Sequence, residues 1–134
     1  MVLDANPLLV FFHKQPSWQF VERLLQNAVE SDTMHLLSSI NLGEIYYTLL
    51  RDYGASTAED GLRRIKEGPI EIVIPSIEQT LVAGKFKAAG GISYADCFAG
   101  ALALERDLPV LTGDEEFKRL IPFGVKVEWL PKNM

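Results

Sequence analysis

One cysteine, Cys97, is the whole thiol content of the sequence, so no internal disulfide is possible and a reducing compartment is the natural setting. The two histidines, His13 and His35, are far apart in the chain, and with Cys97 alone they supply no zinc ligand set. Positive charge is scarce: 13 Lys and Arg face 18 Asp and Glu, for a formal net charge of -5, and no long basic run relieves this. Bulk electrostatics therefore do not draw a polyanion in, and nucleic-acid binding would need a local basic strip or a metal ion bridging to phosphate. No apolar stretch approaches the roughly 18 residues of a membrane span, and no charged-then-apolar leader opens the chain, so the expectation is a cytoplasmic protein. G-x-S-x-G, a glycine-rich phosphate loop and G-x-G-x-x-G are all missing, which removes the serine-elbow, P-loop and dinucleotide chemistries.

What remains is ordinary globular material: 48% hydrophobic and 23% charged residues in a chain of 134. That length fits one domain, residues 1–134, burying about two thirds of its unfolded surface. Met1 to Asp4 reads as a short apolar strand. Asn6-Pro7 reads as a helix start, with Asn6 as N-cap and Pro7 at the first helical position. Trp18, Val21, Leu24, Leu25, Ala28 and Val29 recur at helical spacing. Met34 to Leu37 is a second strand, and Ile40 to Tyr53 and Ser56 to Lys66 are helices with Gly54 as a stop between them. Ile70 to Ile74 is a β-branched third strand and Ile77 to Ala89 a helix closed by Gly90-Gly91. A helix after Ser93, a strand from Pro109 to Leu111, a helix opening after Asp114 and a strand from Val125 to Trp129 complete the order. Such alternation predicts an α/β fold with a mainly parallel sheet and helices on both faces.

Parallel sheets with crossover helices place ligands at the carboxyl ends of their strands. Asp4 and Asp114 each follow a predicted strand, and Asp96 lies in the first turn of a predicted helix, so three carboxylates can converge on one rim. Each also has a plain structural reading. Ser93-x-x-Asp96 is a capping-box pattern, Asp114 can cap the helix that begins at Glu115, and Asp4 can form an Asx-turn toward Pro7. Glu44 is left unplaced by periodicity: Leu42, Ile45 and Leu49 share one side of their helix, and Glu44 points largely away, toward solvent with Thr48 and Arg51. If the carboxylates do cluster, their mutual repulsion is relieved by a divalent cation, and oxygen-only ligation suits Mg²⁺ or Mn²⁺. Cys97 reads as buried core.

Four segments together resemble a PIN-domain nuclease, with the size and layout of the VapC-type toxins of type II toxin-antitoxin systems: Leu3-Asp4-Ala5-Asn6, Ser38-x-x-Asn41-x-x-Glu44, Ser93-Tyr94-Ala95-Asp96 with Ala99-Gly100-Ala101-Leu102-Ala103, and Leu111-Thr112-Gly113-Asp114-x-x-Phe117. The resemblance covers essentially the whole chain. It implies a PIN-like α/β/α sandwich around a sheet of four to five strands. It further implies a metal-dependent ribonuclease whose catalytic and metal-binding residues are Asp4, Glu44, Asp96 and Asp114. Asn6 would orient Asp4 or a bound water, Thr112 would steady Asp114, and Glu116 would be an extra, outer carboxylate. Implied partners are an RNA substrate, a cognate antitoxin and a second copy in a homodimer. Lys85, Lys87 and Lys118 are candidates to line the RNA groove, and Trp18 with Phe11-Phe12 to form a dimer or antitoxin surface. The competing readings are a phosphatase or phosphotransferase with Asp4 as nucleophile, and a non-catalytic module whose carboxylates are only caps. The phosphatase usually wants a second aspartate where Asn6 stands.

Overall fold

The computed structural model describes residues 1–132; the last two residues of the expected domain, 133 and 134, lie outside them. Five strands form one sheet: β1 (Val2–Leu3), β2 (His35–Ser38), β3 (Ile70–Val73), β4 (Val110–Thr112) and β5 (Val127–Trp129). Their order is β3-β2-β1-β4-β5, and every neighbouring pair is parallel. The helices are α1 (Ala5–His13), α2 (Trp18–Glu30), α3 (Ser39–Tyr53), α4 (Ala55–Glu67), α5 (Ile77–Ala89) and α6 (Tyr94–Arg106), with a 3₁₀ helix at Glu115–Phe123. The alternation expected from the sequence is thus present, and the sheet is wholly parallel.

Register explains why the central strands are apolar at consecutive positions rather than at alternate ones. Val2 stands level with Leu36 and Val110, and Leu3 level with Leu37 and Leu111. Side chains alternate across a strand, so each row belongs to a different face. The first row joins Phe86 of α5, Ala99 and Leu102 of α6, and Phe117 and Leu120 of the 3₁₀ helix in one core. The second joins Leu8, Val21, Ile45, Leu49, Ala58 and Ile65 from α1 to α4 in another. A sheet covered on both sides has no polar face, and β1 and β4, buried throughout, carry none. Among the described residues no helix is long and apolar enough to cross a membrane.

Two local expectations give way. Helix α1 begins at Ala5 with Asp4 in the N-cap position, not at Pro7 with Asn6 as cap. Pro7 still falls in the first turn, where its missing N–H costs nothing, so one rule allows either register. The last helix is 3₁₀ rather than α, with Pro122 inside it. Proline disfavours α geometry in the residue before it and removes a donor, which suits a short tight helix.

Candidate active site

Asp4 leaves the end of β1 and is 1% exposed. It holds the N-cap position of α1 in extended geometry, yet its side chain makes no cap hydrogen bond. Asp4 Oδ2 instead accepts from Thr112 Oγ1 at 3.0 Å, across to the neighbouring strand β4. The same Thr112 hydroxyl accepts from the Asp114 N–H at 3.0 Å. Thr112 therefore grips the Asp4 carboxylate and the Asp114 backbone together. Asn6 Oδ1 accepts from the Gly113 N–H at 2.7 Å, so the residue expected to serve Asp4 fixes the turn before Asp114. That contact requires glycine, since a Cβ at position 113 would lie 2.9 Å from Asn6 Oδ1.

Asp96 enters from α6. Ser93 Oγ accepts from the Asp96 N–H at 3.2 Å, and the Asp96 side chain is buried. Asp114 also caps, accepting from the Glu116 N–H at 2.9 Å. One oxygen each of Asp96, Asp114 and Glu116 lie within 4.8 Å of one another. Asp4 and Glu44 stand outside that triplet. Asp4 nevertheless meets Asp96 directly: burial raises both carboxyls, and the Asp4 charge and contact raise Asp96 further. Of the two, Asp96 carries the proton more readily, because the contact between them raises Asp96 and lowers Asp4, and Thr112 donates to the Asp4 carboxylate.

Glu44 does not face solvent as its periodicity suggests. Helix α3 is packed against α1 and α4 on one side and α6 on another, so two of its faces are covered. Thr48 is buried and Glu44 half-buried. Burial raises the Glu44 carboxyl, and the charges of Asp4 and Asp114 raise it further, which brings Glu44 to the same rim. Asn41, one turn earlier, is fully buried and donates from Nδ2 to the Ala95 carbonyl at 3.1 Å, tying α3 to the backbone next to Asp96. The segment that carries Glu44 pointed to Asn41, but only packing gives it a task.

Among the described residues, three buried side-chain oxygens have no hydrogen-bond donor: Asp4 Oδ1, Asn41 Oδ1 and Glu44 Oε1. Buried acceptors without donors are costly, roughly 1–3 kcal/mol each and more when charged. Two of the three belong to carboxylates at one rim, beside an oxygen triplet. A hard divalent cation meets both needs: it neutralises the repulsion and accepts oxygen ligands alone. The residues present fit such an ion. His13 is engaged with Asp52 at 3.5 Å and His35 with the N-terminal amine at 3.0 Å, so neither supplies a zinc ligand here.

A parallel five-stranded sheet between helical layers, with acidic residues at the ends of its two central strands, defines the class. The PIN domain family model matches residues 1–121, and the chain belongs to that family. Comparison with the curated proteins gives no match. Solved structures of the same fold include VapBC2 from Rickettsia felis bound to a DNA fragment from its promoter, at TM-score 0.78 and 18% identity over 97% of this chain and 98% of that one. DNA-bound VapBC from Salmonella typhimurium is similar at TM-score 0.78 and 19% identity, over 97% of each chain. VapC20 of Mycobacterium tuberculosis, described as a Sarcin-Ricin loop cleaving toxin, aligns at TM-score 0.72 and 14% identity over 92% of this chain and 95% of that one.

Proposed function

We propose that the chain is a Mg²⁺- or Mn²⁺-dependent endoribonuclease and the toxin of a toxin–antitoxin pair, acting as one PIN-like domain over residues 1–134 in the cytoplasm. The observation that carries this reading is the set of buried, donor-less carboxylate oxygens at the carboxyl end of the central strands. Family membership supports the nuclease chemistry. The fold shared with VapBC complexes supports an antitoxin partner, and its likeness to a toxin described as Sarcin-Ricin loop cleaving supports an RNA substrate.

Asp4, Glu44, Asp96 and Asp114 would hold the ion, and Glu116 would stand at its outer edge. A bound divalent cation activates water and stabilises charge on the attacking and leaving oxygens of a phosphodiester. Thr112 immobilises Asp4 through one carboxylate oxygen and leaves the other free for a ligand. Asn6 holds the Gly113 turn and with it the approach of Asp114. Asn41 sets the height of α6 and so the position of Asp96. A second copy would sit against the apolar side chains between β3 and the start of α5, where Ile74 is 81% and Ile77 is 77% exposed. Trp18, Phe11 and Phe12 pack largely against the core of α1 to α4, which makes them the weaker candidates for that surface.

Cleavage of a mixed structured RNA by purified protein, with Mn²⁺ and with EDTA, tests the reading beside Asp96→Asn. Metal-dependent cutting that the variant lacks is expected. Cutting unchanged in the variant sinks the site. A melting temperature indifferent to Mn²⁺, with no cutting, would favour a module whose carboxylates only cap helices.

A further inference from the structure

We propose that Lys87 and Arg119 form a phosphate clamp for the RNA strand, mounted on the turn that leads into α6. The proposal rests on the nuclease reading and says which side of the acidic rim the strand crosses. An enzyme of net charge -5 with a carboxylate cluster repels its polyanionic substrate, so cations must be held beside the cluster. Most cations of this chain are committed elsewhere. Arg51, Arg63, Arg106, Lys118, Lys126 and Lys132 pair with carboxylates. Lys14 and Arg64 lie over aromatic rings. Lys118, expected in the RNA groove, is taken by Glu115 at 3.6 Å.

Lys87 and Arg119 are exposed, have no carboxylate partner among the described residues, and both lie at the same turn. Lys87 Nζ donates to the Ile92 carbonyl at 3.0 Å, one residue before the Ser93 cap of α6. The Arg119 guanidinium lies against Gly91: a Cβ there would stand 2.6 Å from Arg119 Cζ. Gly91 also has φ +81°, a backbone conformation that favours glycine, and a Cβ there would make the flexible end of Arg119 move. Chain geometry sets the pair beside the acids: Arg119 is on the 3₁₀ helix that Asp114 caps, and Ser93, next to Ile92, accepts from the Asp96 N–H at 3.2 Å. A planar guanidinium lying on this turn and an ammonium hydrogen-bonded to it, neither paired with a carboxylate among the described residues, are donors for anionic oxygens. A phosphodiester strand is the anion that a nuclease site must hold there.

The test is fluorescence anisotropy of a labelled single-stranded RNA as salt is raised, with Ca²⁺ replacing Mn²⁺ and RNA integrity checked on a gel. In the double variant Lys87→Gln/Arg119→Gln, affinity should fall roughly tenfold and the log–log salt slope should shrink by about 1.4, or about 0.7 per lost phosphate contact. KM for cleavage should rise with kcat little changed, and the Mn²⁺-induced rise in melting temperature should stay. Gly91→Ala, which displaces Arg119, should lose part of the affinity, and Arg119→Lys should restore most of the slope. Wild-type affinity and slope in the double variant overturn the clamp, as does an equal loss from the control Lys66→Gln. A wild type that responds to Mn²⁺ but gives either result loses the clamp alone. A wild type that neither responds to Mn²⁺ nor binds RNA loses the nuclease reading with it.

Discussion

At Asp96 two opposing effects meet. A carboxylate in the first turn of a helix gains roughly 0.3–1 kcal/mol from the dipole. Burial at 5% exposure beside Asp4, with Asp114 near, costs more than that, as the raised Asp96 carboxyl shows. Asp96→Asn should therefore raise the metal-free stability at neutral pH by on the order of 1 kcal/mol, and with it the melting temperature, while abolishing the response to Mn²⁺. Calorimetry with and without Mn²⁺ checks both halves; a variant less stable than wild type without metal would mean that capping dominates. Thr112 gives the converse case. Thr112→Val keeps the shape but removes the hydroxyl that serves Asp4 Oδ2 and the Asp114 N–H, stranding both. A loss of about 1–3 kcal/mol in denaturant unfolding is expected, with weakened Mn²⁺ binding in a titration.

Among elements, the two central strands do most to build the rim. β1 and β4 are adjacent although most of the chain separates them, and their register sets Leu3 beside Leu111 so that Asp4 meets Thr112. The turn after β4 is then fastened to α1 by Asn6 and Gly113. Gly113→Ala should push the Asn6 amide away, break that bond and cost about 1 kcal/mol or more. Its signature is reduced Mn²⁺ affinity with far-ultraviolet circular dichroism unchanged. The same element shows where sequence reading stops. Asn6 was legible as a residue of consequence, but a cap for α1 and a brace for Gly113 look alike until β4 lies next to β1.

For the molecule as a whole, the acidic rim is a titrating unit. Asp4, Asp96 and Glu44 all have folded-state carboxyls raised above their ordinary values, chiefly by burial. The native state then binds more protons than the unfolded chain between the ordinary and the raised values. Without metal, this contribution to stability is full below the ordinary carboxylate range and is lost as pH rises through the raised values. Mn²⁺ would bind the ionised form and should flatten or reverse that fall. Melting temperatures from mildly acidic to alkaline pH, with EDTA and with Mn²⁺, check the sign. At saturation near 100 times Kd the ion should add about 2.7 kcal/mol. Ile77→Glu should convert the proposed dimer to monomer on a sizing column, and an unchanged elution volume would put the dimer face elsewhere.

The sequence by itself determined the element order, the parallel sheet and three of the acidic positions, because apolar periodicity and strand-end aspartates are local signals. Asp4, Asp96 and Asp114 could be located from such signals, though not told apart from caps. Glu44 could not, because its own helix presents Ile45 and Leu49 as the buried face, and the second covered face exists only where α6 packs. Asn41, the double duty of Thr112 and the seat of Arg119 on Gly91 belong to the same class. Each is a contact between segments remote in sequence, and its energy depends on burial and on neighbours of like charge. Only the tertiary structure decides those, since a carboxylate in water has no reason to prefer a metal ion to its solvent, and one buried among its own kind does.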